Sequence, residues 1–92
     1  MIHRVLLSKR AAKDLEKVPD HVVLKLSAWK DGVERFGLEE IRKRPGFHDE
    51  ALKGDRKGQR SIRLSKAYRA IYRIVKEDVI FVLIEEVNKH DY

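Results

Sequence analysis

An α+β fold is predicted by three features of the amino-acid sequence. The first half carries apolar residues at helical spacing, the second half carries short alternating or continuous apolar stretches, and a charged segment with proline and glycine separates them. The expected architecture is an N-terminal helical hairpin packed on one face of a mostly antiparallel sheet. Ninety-two residues suit a single domain, 1–92, with one core. No internal repeat or domain boundary interrupts it.

Ile2 to Leu7 is apolar with β-branched residues and reads as a strand. Ser8 follows as a candidate helix N-cap, because its hydroxyl can accept a backbone N–H that a helix start leaves unpaired. Ala11, Ala12, Leu15 and Val18 recur at helical spacing, which predicts a short amphipathic helix over about Lys9 to Val18. Pro19 ends it and suits the first turn of a second helix. Val22, Leu26, Trp29, Val33 and Phe36 form that helix's apolar stripe, with Trp29 and Phe36 expected to be buried against the sheet. Gly37 stands where a left-handed C-terminal cap belongs. Leu38 to Lys43 adds a further helical turn, and Arg44 to Gly58 reads as a long loop.

The periodicity then changes. Arg60, Ile62 and Leu64 alternate with Ser61 and Arg63, marking a half-buried strand. After a turn at Ser65-Lys66-Ala67, Tyr68 to Val75 forms a second strand. It places Arg69, Ile71, Arg73 and Val75 on one face and Ala70, Tyr72 and Ile74 on the other. Lys76-Glu77-Asp78 makes another turn. Val79 to Val87 opens on a continuous apolar run, as expected of a strand covered on both faces in the middle of a sheet.

Charge narrows the partners. Lys and Arg number 21 against 15 Asp and Glu, a formal net charge of +6. Such a balance favours an anionic partner, although mixed charge also simply solvates a small protein. Without cysteine there is no thiol nucleophile, disulfide or zinc–thiolate site. The apolar runs are too short for a signal peptide or a membrane span, so a cytoplasmic location and no membrane partner are expected.

Three groups of residues carry potential chemistry. Arg63, Arg69 and Arg73 fall on strands, where planar guanidinium groups can grip phosphate oxygens in pairs. His48, Glu50, Lys53 and Arg56 lie in the charged loop. Glu50 or His48 could serve as a general base and Lys53 could neutralise a phosphate, but such a run is also what a solvated loop carries. His90 and Tyr92 end the chain just beyond the last strand, within reach of the sheet face, and a histidine titrating near neutrality suits acid or base work. His48, Asp49, His90 and Asp91 have no recognisable metal-ligand spacing, and no metal or other cofactor is expected.

The runs Glu50-Ala51-Leu52-Lys53-Gly54-Asp55-Arg56, Gly58-Gln59-Arg60-Ser61-Ile62-Arg63 and Tyr68-Arg69-Ala70-Ile71-Tyr72-Arg73 resemble RelE-superfamily toxins, closest in pattern to the YoeB and HigB branches. The tail Val87-Asn88-Lys89-His90-Asp91-Tyr92 adds to the likeness, which spans roughly Gly46 to the end. The resemblance implies the toxin of a type II toxin–antitoxin pair that enters the A site of the 30S subunit and cuts mRNA without a metal. By the same resemblance Glu50 is the base that deprotonates the ribose 2′-OH, Arg69 stabilises the phosphorane, His90 protonates the leaving 5′ oxygen and Tyr92 orients the substrate. Lys53, Arg56, Arg63 and Arg73 are then substrate-binding cations. Partners implied are a cognate antitoxin, the ribosome and mRNA.

Two departures from the pattern matter. Asp91 separates the histidine and tyrosine that are adjacent in the family, and some HigB-type members place a histidine where Glu50 stands, so His48 is a second candidate base. The alternative function on the same fold is that of a ParE-like DNA gyrase inhibitor, which cuts nothing. A plain basic nucleic-acid-binding module is a third reading, without an RNP-type aromatic pattern or helix-turn-helix signal to support it.

Overall fold

In the computed structural model, which describes residues 1–77 and 79–89, strand β1 (Val5–Leu7) leads into helix α1 (Lys9–Leu15) through Ser8. The Ser8 Oγ accepts the Ala11 N–H at 3.0 Å and donates to the Glu85 carbonyl at 2.7 Å. One serine thus starts the helix and ties it to the last strand. Helix α2 (Asp20–Phe36) follows Pro19, with Val22, Leu26, Trp29 and Val33 buried as the stripe predicts.

Phe36 departs from expectation: it is 49% exposed, with the Arg44 guanidinium 5.2 Å from its ring centre. The reason is the chain reversal that follows. Gly37 has φ 89° and ψ 152°, a positive-φ conformation that glycine adopts without strain but not the left-handed helical cap expected from sequence. Its N–H still closes the helix on the Val33 carbonyl at 2.9 Å. The reversal starts α3 (Leu38–Arg42), and Leu38 and Ile41 fill that end of the core in place of Phe36.

The segment expected to be one long loop contains a two-residue strand, β2 (Glu50–Ala51), between short 3₁₀ turns at Pro45–Phe47 and Gly54–Arg56. Then come β3 (Arg60–Arg63), β4 (Tyr68–Lys76) and β5 (Ile80–Lys89). The sheet extends beyond the three consecutive strands read in the second half of the sequence. Its order is β1-β5-β4-β3-β2, with β1 parallel to β5 and every other pairing antiparallel. β5 is therefore interior, as its apolar run predicts, but Val79, just before it, and Ile80, its first residue, are 51% and 46% exposed. The apolar run begins before β5 is flanked on both sides: β4 reaches Ile80, but among the described residues β1 pairs only with Val82 to Ile84.

The helices cover one face of the sheet. Ile62 and Leu64 at β3, Ala70 and Tyr72 from β4, and Val82, Ile84 and Val87 from β5 form one core with Trp29, Leu26 and Val33. Trp29 is fully buried, its ring centre 5.0 Å from that of Tyr72 at a tilt of 46°. A bulge shifts the register between Ile71, opposite Glu86, and Tyr72, opposite Ile84, leaving Glu85 as the extra residue of β5.

A candidate anion site on the open face of the sheet

Residues directly opposite one another across a sheet share a face, and the face alternates along each strand. On the face away from the helices, Arg63, Arg69 and Asn88 form one row across β3, β4 and β5. The next row on the same face is Glu50, Ser61, Ile71 and Glu86. Three strands and one edge segment thus bring the candidate base Glu50 and the candidate phosphate ligands Arg63 and Arg69 to adjacent rows of one face, with Glu50 diagonal to Arg63 and two strands from Arg69.

Their electrostatic settings differ. Among the described residues, neither Arg63 nor Arg69 forms an ion pair with a carboxylate. They stand directly opposite one another, an arrangement of like charges that costs stability in an isolated sheet. The Arg69 Nε donates instead to the Asn88 Oδ1 at 3.4 Å, and the Asn88 Nδ2 donates to Glu86 at 2.6 Å. Glu86 is buried and also receives Arg56 at 3.1 Å and Arg10 at 3.4 Å. Arg73 meets Glu85 at 3.0 Å, and the Gln59 amide donates to that same carboxylate at 3.2 Å.

Two of the four cations expected to meet substrate, Arg56 and Arg73, are therefore held by glutamates of β5. The bulge lets consecutive residues Glu85 and Glu86 both take partners from this side, and Arg56 and Gln59 draw the segment between β2 and β3 over the sheet. Ile71 is fully buried on a face expected to be open. Sequence reasoning missed these two glutamates because they end a run read as apolar. Their adjacency inside a strand was the available signal, since charged residues seldom enter a sheet interior unpaired.

The remaining candidates are arranged as follows. Glu50 is exposed on β2, and Lys53 is exposed at the start of the 3₁₀ turn that carries Arg56. His48 is exposed, with φ 46° and ψ 52°. It is the one non-glycine residue with positive φ among those described. His90 and Tyr92 lie outside the described residues.

Asp49, between His48 and Glu50, points the other way. Its carboxylate is fully buried and accepts the Arg60 Nε at 2.6 Å and the Tyr72 hydroxyl at 2.5 Å. Burial pushes the Tyr72 phenol well above its usual value, and the hydrogen bond and charge of Asp49 push it further, against the opposing charges of Arg60 and Arg42. Burial opposes the Arg60 charge, but Asp49 outweighs this and raises the guanidinium above its ordinary range. Asp49 is thereby committed to two partners inside the fold, which removes it from the loose group of possible metal ligands considered from the sequence.

No helix among the described residues is long and apolar enough to cross a membrane. The solved structures most similar to this chain include a YoeB/ParE toxin from Agrobacterium tumefaciens, 19% identical, with a TM-score of 0.73 over 96% of this chain and 99% of the other. YafQ from E. coli is 16% identical, with a TM-score of 0.74 over 96% and 93% of the two chains. The archaeal RelE of the RelE–RelB complex from Pyrococcus horikoshii OT3 is 25% identical, with a TM-score of 0.71 over 97% and 96%. Among curated proteins, none matches. The family model of the ParE toxin of the type II toxin–antitoxin system parDE matches residues 5–89, nearly the whole α+β domain. The chain belongs to the ParE toxin family of type II toxin–antitoxin systems, with the fold shared by RelE, YoeB and YafQ.

Proposed function

We propose that this toxin is an endoribonuclease that cuts mRNA presented in the ribosomal A site and is silenced by a cognate antitoxin. The observation that carries the reading is the Arg63–Arg69 pair: two arginines directly opposite one another in the sheet register, without carboxylate partners among the described residues, in the row next to that of Glu50. A pair of like charges that costs stability is retained where an anion joins it, and a phosphodiester fits the planar donors of arginine.

In the proposed reaction Glu50 accepts the proton of the ribose 2′-OH. The 2′ oxygen forms a bond to the adjacent phosphorus, the charge of Arg69 stabilises the phosphorane, and the bond from phosphorus to the 5′ oxygen breaks. His90 supplies the proton that this leaving oxygen takes, and Tyr92 orients the substrate; these two roles rest on the family resemblance. Arg63 and Lys53 hold flanking phosphates. Arg56 and Arg73 add to the field of the site while tethered to Glu86 and Glu85. The small site gains from a ribosome that delivers the mRNA in reactive geometry, because positioning supplies several kcal/mol of such a barrier. No step requires a metal or other cofactor. The antitoxin is expected to bring an acidic segment that orders on binding and covers the arginine row.

The family match supports a second reading, inhibition of DNA gyrase without cleavage. Primer extension on cellular mRNA after induction, run beside a supercoiling assay with purified gyrase, separates the two. Discrete 5′ ends with intact supercoiling support the nuclease. Loss of supercoiling with uncut mRNA supports gyrase inhibition.

A further inference from the structure

We propose that Asp49 is a positioning residue that holds Glu50 on the open face beside Arg63 and Arg69, an inference that rests on the nuclease reading. β2 is only two residues long and lies at the sheet edge, with two paired positions on β3 to fix it. So short an edge strand has little intrinsic order. Asp49 supplies what β2 lacks. Its buried carboxylate bonds to Arg60 on β3 and, one strand further in, to Tyr72 on β4, whose ring packs on Trp29 in the core.

Both partners lie on the helix-covered side, since Arg60 and Tyr72 are opposite one another and Tyr72 belongs to the core. Successive residues of an extended segment point to opposite faces. Drawing Asp49 into the helix side therefore turns Glu50 to the arginine side, opposite Ser61. The preceding residue, His48, takes a left-handed conformation that non-glycine residues rarely adopt, as expected where the surrounding contacts over-determine the backbone. The grip also separates the two candidate bases: Glu50 is registered in the sheet, whereas His48 lies outside every strand.

The test is single-turnover cleavage on programmed ribosomes, with active fraction and ribosome affinity measured separately, for D49N and Y72F in the wild-type and E50Q backgrounds. Misplacing a reacting group by about 1 Å costs about 10²-fold in rate, so D49N is expected to slow cleavage about 10- to 100-fold with ribosome affinity within about twofold of wild type. Y72F leaves the Arg60 bond in place and is expected to slow it about 3- to 10-fold. In the E50Q background neither substitution should slow the residual reaction further, because Asp49 acts through Glu50. Equal slowing in both backgrounds marks a general structural role and overturns the proposal, as do wild-type rates for both variants. If D49N does not fold, Y72F decides by the same criteria. A wild-type protein that leaves ribosome-bound mRNA uncut removes the nuclease reading and this role with it, whereas cleavage that needs Arg69 but ignores Asp49 and Tyr72 removes this role alone.

Discussion

Tyr72→Phe should destabilise the protein at neutral pH and cease to do so in strong alkali. The substitution keeps the ring against Trp29 and removes only the hydroxyl that donates to the buried Asp49 carboxylate. A hydrogen bond to a charged acceptor contributes about 1.5–3 kcal/mol, so Y72F should be less stable by about that amount at pH 7. The pH dependence follows from the raised pKa of Tyr72, whose first cause is burial. Its stabilising contribution is complete below the unfolded-state pKa, about 10 for tyrosine, and is lost as pH rises beyond that value, because the unfolded chain releases a proton that the folded chain retains. Two pH units above it, the unfolded wild type has gained about 2.7 kcal/mol that the phenylalanine variant cannot gain. Lysines and the other tyrosines titrate in both proteins and cancel. Urea unfolding followed by the fluorescence of the single tryptophan, from pH 7 to pH 12, measures the difference. It should shrink above pH 10 and approach zero near pH 12. A difference that stays constant across that range, or one below about 0.5 kcal/mol at pH 7, refutes the buried bond.

Other expectations follow from single side chains. Trp29→Ala should cost about 3–5 kcal/mol in the same assay read by circular dichroism. Trp29→Phe should stay within about 1 kcal/mol of wild type, because its smaller cavity is offset by removal of an indole N–H that finds no acceptor among the described residues. Arg69→Ala should slow cleavage about 10²–10³-fold, and Arg69→Lys should recover only part of this, since an ammonium lacks the paired donors; single-turnover rates report both. Glu50→Gln should abolish most of the activity and His48→Ala little of it, a ranking that reverses if His48 is the base.

The helical hairpin was legible because burial imposes its period on the sequence. Val22, Leu26, Trp29 and Val33 are each buried by a helix lying on a sheet. Phe36 shared the period but not the burial, since a stripe cannot tell where the chain will fold back, and Leu38 and Ile41 took its place. The alternation along β4 correctly divided Arg69, Ile71 and Arg73 from Ala70, Tyr72 and Ile74. β2 was invisible because two residues carry no period, and the parallel pairing of β1 with β5 joins the two ends of the chain, which local pattern cannot report. The arginine row could be read from residue type and strand phase. The tethers from Glu85 and Glu86, and the Asp49–Arg60–Tyr72 cluster, depend on long-range register and on a bulge, neither of which leaves a local mark.

Whether the arginine row and Glu50 form a nuclease site is decided by single-turnover cleavage of mRNA on programmed ribosomes with Glu50→Gln, Arg69→Ala and His90→Ala proteins. Ribosome binding is measured alongside. Wild type should cut in the A site, and each variant should still bind but lose about two or more orders of magnitude in rate. Wild-type rates in all three variants, or binding without any cut by the wild type, would contradict the nuclease site and leave gyrase inhibition as the reading to pursue.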